Sequence, residues 1–182
     1  MIYVEAPSDE YLTHMVDSSC KWLGKKSVFL AGGIMMCLPW QDKMAGLLAS
    51  EEDLVLLNPR RKSFPMDDPS ESERQIAWEH QHLELADAIL FWFSPPTHNP
   101  IVFYELGKFI DKKVYITTHK KLNFETKKPI FIGVHPDFER KEDVRIQTGL
   151  VRPDLKIVDN LEELAEQVKT WLGQNKNTVW KY

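Results

Sequence analysis

Cysteine is scarce in this 182-residue chain, which holds only Cys20 and Cys37. Two thiols in a chain of this size read as small buried hydrophobes in a reducing compartment, not as a disulfide framework. Long apolar runs are missing too: none approaches the roughly 18 residues of a membrane span. The first residues carry an acid at Glu5 and lack the basic-then-apolar order of a signal peptide. A cytoplasmic, soluble protein is the expectation. A strong charge of either sign is also absent. The 23 Lys and Arg against 27 Asp and Glu leave a net charge of −4, whereas binding a nucleic-acid backbone needs a basic surface. Two small basic clusters, Arg60-Arg61-Lys62 and Lys120-Lys121, read as solvated turns. Neither nucleic acid nor membrane is expected as a partner, and a small molecule is the default. No glycine-lysine phosphate loop and no GxGxxG element follows the first clear strand, which argues against a P-loop enzyme or a dinucleotide dehydrogenase. His80 and His82 are two apart on a helix, so they point apart and cannot share a metal.

What is present fits one globular domain over residues 1–182, with 1–26 as an N-terminal extension that adds a strand and a short helix. The apolar share of 43% and charged share of 27% are ordinary for a globular chain. Short apolar runs alternate with helical patterns. Ser27-Val28-Phe29-Leu30-Ala31 is a buried strand stopped by Gly32-Gly33. A helix starts near Pro39 and carries Trp40, Met44, Leu47 and Leu48. Leu54-Val55-Leu56-Leu57 is a second strand closed by Asn58-Pro59. Residues 63–71 read as a polar, proline-rich loop, and 73–86 as helix. Ala88-Ile89-Leu90-Phe91-Trp92-Phe93 is the most apolar run and a central strand. Asn99-Pro100 reads as an N-cap and first helical residue, with helix to about 111. Residues 114–117 and 130–134 are later strands, 156–158 a weaker one, and 161–172 an amphipathic helix with Leu161, Leu164, Val168 and Leu172 inward. This alternation predicts a three-layer α/β fold, flavodoxin- or Rossmann-like, with a mostly parallel five-stranded sheet.

Such sheets bind ligands beyond the carboxyl ends of their strands. Three loops leave those ends: Gly32-Gly33-Ile34, Asn58 to Arg61, and Ser94 to Asn99. The third feeds the helix that carries Glu105 among apolar neighbours. Gly107 lowers helix propensity by about 1 kcal/mol relative to Ala, and close approach by a backbone or ligand would explain it. On the preceding helix, Ile76, Leu83 and Ala86 form an inward stripe that includes Glu79. A buried carboxylate is costly without a partner, so Glu79 either bonds a structural partner or lines a pocket. Asp87 opens its strand at the amino end, away from the ligand edge, and reads as structural.

Three segments together resemble the nucleoside 2-deoxyribosyltransferase-like superfamily. They are Val28 to Ile34, Ala86-Asp87-Ala88-Ile89-Leu90, and Tyr104-Glu105-Leu106-Gly107. The resemblance runs over roughly residues 27–118. It implies that Glu105 is a nucleophile and that Glu79 contacts the base, at a position where aspartate is common. A family acid that orients the sugar is replaced here by Asn99, which can still hydrogen-bond a hydroxyl or can simply cap the helix. The implied reaction is cleavage or transfer of the N-glycosidic bond of a nucleoside or nucleotide. Glu105 forms a glycosyl-enzyme, and Glu79 helps protonate the departing base. Gly32 and Gly33 either bring backbone N–H groups to a 5′-hydroxyl or 5′-phosphate, or make the tight turn. Tyr104 and Trp40 could wall the base or belong to the core. No metal or organic cofactor is called for. The alternatives are hydrolysis of a nucleoside 5′-monophosphate without transfer, and a catalytically silent nucleotide-binding module. The resemblance also implies a homo-oligomer such as a dimer, with the aromatic tail 178–182 available to dock on a partner subunit.

Overall fold

The computed structural model describes residues 1–16, 24–117, 123–174 and 179–181. Cys20, Lys120, Lys121, Thr178 and Tyr182, which entered the sequence reading, lie outside the described residues. The chain runs β1 (Ile2–Glu5), α1 (Glu10–Val16), β2 (Lys26–Gly32), α2 (Trp40–Leu47), β3 (Leu54–Asn58), α3 (Pro69–Leu85), β4 (Ala88–Phe93) and α4 (Pro100–Phe109). It continues through β5 (Lys113–Thr117), β6 (Asn123–Lys127), β7 (Ile130–Val134), α5 (Lys141–Val151), β8 (Ile157–Val158), α6 (Leu161–Gln174) and β9 (Val179–Lys181).

Six strands form one sheet in the order β1-β3-β2-β4-β7-β8, parallel throughout. Strands β2, β3, β4 and β7 are buried along almost their whole length, as strands covered on both faces must be. Successive side chains alternate between two cores. Phe29, Leu57, Phe91 and Phe93 meet Trp78, Val102, Leu106, Phe109 and Val144, from α3, α4 and α5. Leu30, Leu56, Leu90 and Trp92 meet Trp40, Met44, Leu164 and Val168, from α2 and α6. The result is a three-layer α/β fold whose sheet reverses its winding direction between β2 and β4, because α2 and α4 leave those neighbours on opposite faces.

The sheet holds six strands where five were expected, and residues 113–117 are not among them. They pair antiparallel with β6 and β9 in a separate three-stranded sheet. Alternation explains the departure: Val114 is buried while Tyr115 is 54% exposed, the pattern of a strand with one wet face. The N-terminal strand and the two-residue β8 complete the large sheet at its two edges. Strand β9 takes the C-terminal tail residues 179–181 onto β5 of the same chain.

Helix α3 starts at Pro69, four residues before the expected position. The Asp68 carboxylate caps it by accepting the Ser70 N–H at 2.9 Å, with Pro69 in the first helical position. Its inward face is also rotated from the expected one. Ile76 is 66% exposed, and Gln75, Trp78, His82 and Leu83 are buried. A glutamine, a tryptophan and a histidine hold the core face that hydrophobicity alone assigned to Ile76. Helix α5 was not legible as a separate element. Arg60 and Arg61, expected to be solvated, are tied down: Arg61 pairs with Glu71 at 2.6 Å, and Arg60 donates to the Cys37 carbonyl at 3.2 Å.

At the amino edge, Asp87 locks β4 to β2. Its Oδ2 accepts the Ser27 N–H at 2.8 Å and the Ser27 hydroxyl at 2.9 Å. Asp87 therefore serves the fold at the edge opposite the ligand side.

His82 stacks on Trp78 with ring centroids 3.9 Å apart, and its Nδ1 lies 2.8 Å from the Trp78 carbonyl. That bond requires the proton on Nδ1 and leaves a buried Nε2 with no partner among the described residues. Burial holds the imidazole pKa below its ordinary value of 6.5, although the Trp78 bond and Asp9 oppose the shift. The unfolded chain therefore binds the proton more readily. Stability is full above about pH 6.5 and declines as the pH falls from there toward the depressed folded value. Urea titrations at pH 7.5 and 5.5 should show a drop in unfolding free energy, and NMR should find the folded His82 titrating below 6.5. A protonated His82 in the folded state at pH 6.5 would contradict this.

Candidate active site

The three loops that leave β2, β3 and β4 converge on a cavity of about 310 Å³. Gly32, Gly33 and Ile34 come from the first, Pro59 from the second, and Thr97 and Asn99 from the third. Helices α3 and α4 close it with Glu79 and Glu105. Its volume lies at the lower end of the range for small-ligand sites. A wider groove of about 910 Å³ beside α5 is lined by His98, Glu139, Arg140 and Asp143. Those groups form exposed pairs such as Arg140–Asp143 at 3.0 Å. The smaller cavity holds the two half-buried acids, Glu79 and Glu105, whose carboxyl pKa values burial raises.

Glu105 and Glu79 face this one cavity from two helices. Burial pushes the Glu105 carboxyl up to about 8, the adjacent Glu79 charge adds to the rise, and Lys108 opposes it. Burial also raises Glu79, against a hydrogen bond from Gln75 that favours its charged form. Each acid's proton affinity depends on the charge of the other, so the two titrate as a pair. Both carboxyls are thus held above the ordinary carboxylate range, and the pair keeps a proton to higher pH than two free carboxyls would.

The glycine turn is packed from behind. A Cβ on Gly32 would lie 2.6 Å from Trp40 Cζ2, and one on Gly33 would lie 2.8 Å from Asn99 Oδ1 and 3.0 Å from Cys37 Sγ. The Gly33 carbonyl accepts from Cys37 Sγ at 3.0 Å, and from Trp40 Nε1 and Gln41 Nε2 at 3.1 Å each. Close approach by protein atoms is reason enough for both glycines.

Trp40 is thus a buried support of the turn rather than a wall of this cavity: it is 4% exposed, with its indole on Gly32 and its N–H on Gly33. Tyr104 is not a wall either. It is 71% exposed, because one residue along a helix turns a side chain about 100° away from Glu105. The apolar walls are Phe29, Ile34, Met35, Ile101 and Val102. Of these, Ile34 and Met35 could have been read from their place just after the glycine pair.

Asn99 lines the cavity but does not cap α4 with its side chain. Its backbone is left-handed at φ 50°, a region that asparagine tolerates better than most residues. Its Nδ2 donates to the Ser94 and Thr97 carbonyls at 3.2 and 3.1 Å, and its Oδ1 accepts the Thr97 hydroxyl at 2.9 Å. The amide holds the loop that launches α4.

A Cβ on Gly107 would meet nothing within 4 Å, so the close approach expected there does not occur among the described residues. Gly107→Ala should therefore raise the unfolding free energy by roughly 0.5–1 kcal/mol, as read by urea denaturation. A loss of stability would show that another surface covers this face.

A doubly wound parallel sheet with two coupled acids over its reversal point defines an α/β protein that holds a small ligand at the carboxyl edge of its strands. Within that class the chain belongs to the nucleoside 2-deoxyribosyltransferase-like family, which matches it over residues 25–121. The matched segment spans β2 to the end of β5 and includes both acids and the glycine turn. Among solved structures, a conserved protein from Enterococcus faecalis V583 superposes with a TM-score of 0.54 at 16% identity, covering 81% of this chain and 99% of the other. That likeness shows the fold. No curated protein matches the chain. No helix among the described residues is long and apolar enough to cross a membrane.

A raised carboxyl pKa makes Glu105 a cost to the fold at high pH. The folded state binds its proton more tightly, so stability falls as the pH rises from about 4.5 toward about 8. Glu105→Gln removes that loss. Its stability advantage over wild type should grow across this window to roughly 2 kcal/mol at pH 8, allowing for partial solvent screening. A difference independent of pH would contradict the placement of the two acids.

Proposed function

We propose that the protein cleaves the N-glycosidic bond of a nucleoside or nucleotide, with Glu105 as nucleophile and Glu79 as proton donor. The observation that carries this reading is the pair of half-buried acids facing one cavity inside the segment that matches the family. A Glu105 carboxylate oxygen attacks the anomeric carbon as the bond to the base nitrogen breaks. The electron pair leaves with the base, which takes its proton from Glu79, directly or through water. The product is a glycosyl ester on Glu105. Water then releases the sugar, giving hydrolysis, or a second base captures it, giving transfer. Positive charge developing on the sugar favours an ionised Glu105 and so moves the shared proton to Glu79 when substrate is bound.

The same cavity also supports a second reading, a binding module for nucleotides without turnover. The Asn99 side chain favours it, because its amide is bonded within its own loop where the family resemblance implies a free acid.

Chromatography of ribo- and deoxyribonucleosides and their 5′-monophosphates, each with and without a second free base, separates these readings. Base release or exchange should appear in wild type and fall at least about a thousandfold in Glu105→Ala, the scale of losing a covalent nucleophile. Binding without turnover across the panel would support the module. The active pair holds one proton, so kcat/KM should be bell-shaped. Its acid limb should lie above the ordinary carboxyl range, and its alkaline limb near pH 8, where the second proton is lost. Activity that keeps rising above pH 9 would contradict the single-proton pair.

A further inference from the structure

Gln75 lies on the buried face of α3, one turn before Glu79, and is 5% exposed. Its Nε2 donates to the Pro59 carbonyl and to Glu79 Oε1, both at 2.7 Å. Its own Oε1 is buried with no partner among the described residues. The Pro59 bond fixes the amide's orientation: a flipped amide would set two oxygens against each other at 2.7 Å, so nitrogen must face Pro59. The same nitrogen then faces Glu79, and Gln75 can only donate to it.

We infer that Gln75 is a positioning residue that decides which of the two site acids holds their shared proton. It occupies Oε1 of Glu79 with an N–H, which bars a proton from that oxygen and favours the charged carboxylate. In the ligand-free protein the charge therefore rests on Glu79, and the proton on Glu105. Among the described residues, Lys108 on α4 also acts on Glu105. Strand β2 and the loops after β3 and β4 present Gly33, Pro59, Thr97 and Asn99 to the cavity, none of which titrates. Anchoring through Pro59 ties this device to the loop after β3, so that loop, α3 and α4 share one proton. Glu79 is thereby oriented with Oε2 as the oxygen left to carry a proton. The inference rests on the proposed function only in naming the purpose of the proton; its location is a property of the unliganded chain.

Carbon-13 NMR of carboxyl-labelled glutamate tests this without substrate, with Glu79→Gln and Glu105→Gln assigning the two signals. In wild type between pH 6 and 7, Glu105 should be protonated and Glu79 ionised. In Gln75→Met, which keeps the volume and removes the donor, the bias of the proton toward Glu105 should weaken. The Glu79 titration should rise by about one unit and that of Glu105 should fall. A wild-type proton found on Glu79, or a Gln75→Met protein whose two titrations are unchanged, would overturn the inference. The wild-type spectrum decides the point even if the variant does not fold. A merely structural glutamine would lower the thermal midpoint without moving the proton. Base release measured separately keeps the two claims apart. Titration as described with no turnover removes the proposed function alone, and turnover with the proton on Glu79 removes this inference alone.

Discussion

The turn at Gly32-Gly33 is the constraint on which the site depends. Three donors converge on the Gly33 carbonyl, two of them side chains at the start of α2. On its other side, the place a Cβ would fill is already crowded by Asn99 and Thr97 from the loop after β4. Only glycine lets the β2 turn and the β4 loop approach this closely. That approach fixes where α4 begins, and hence where Glu105 stands relative to the cavity. An alanine at Gly33 would push the loop outward by a few tenths of an ångström, on the scale at which reacting groups lose their alignment.

Both edges of the sheet place ionisable groups in low-dielectric surroundings. Two acids side by side in a low-dielectric cavity repel each other and lose hydration, and the proton they share is the cheapest relief. At the other edge Asp87 and the buried Lys128 are held by hydrogen bonds. Asp87 gathers the Ser27 N–H and hydroxyl, and the buried Lys128 ammonium donates to the Leu83 and Glu84 carbonyls at the end of α3. Burial nonetheless raises the Asp87 carboxyl and lowers the Lys128 amine to about 7, so both edges of the sheet carry electrostatic strain.

Much of this was legible in the sequence, and the misses have physical causes. The buried strands 27–31, 54–57, 88–93 and 130–134 announced themselves as apolar runs ended by turn residues. Residues 113–117 looked alike over a short window, and only the wet alternation at Tyr115 separates them from a doubly buried strand. The rule that ligands lie beyond the carboxyl ends pointed at all three loops that line the cavity. Trp40 and Tyr104 read either as walls or as core, and helical phase separates them: one lies in the core and the other faces solvent. Gln75 was invisible for a related reason: a buried polar residue on α3 becomes meaningful only once Pro59 and Glu79 are seen on either side of it.

The central claim is that Glu105 bonds to the sugar. Rapid acid quench of wild type during turnover, followed by proteolysis and mass spectrometry, tests it directly. The account predicts a glycosyl adduct on the peptide that contains Glu105, lost in Glu105→Ala together with base release. Sustained base release with no adduct on that peptide, or undiminished release by Glu105→Ala, would contradict it.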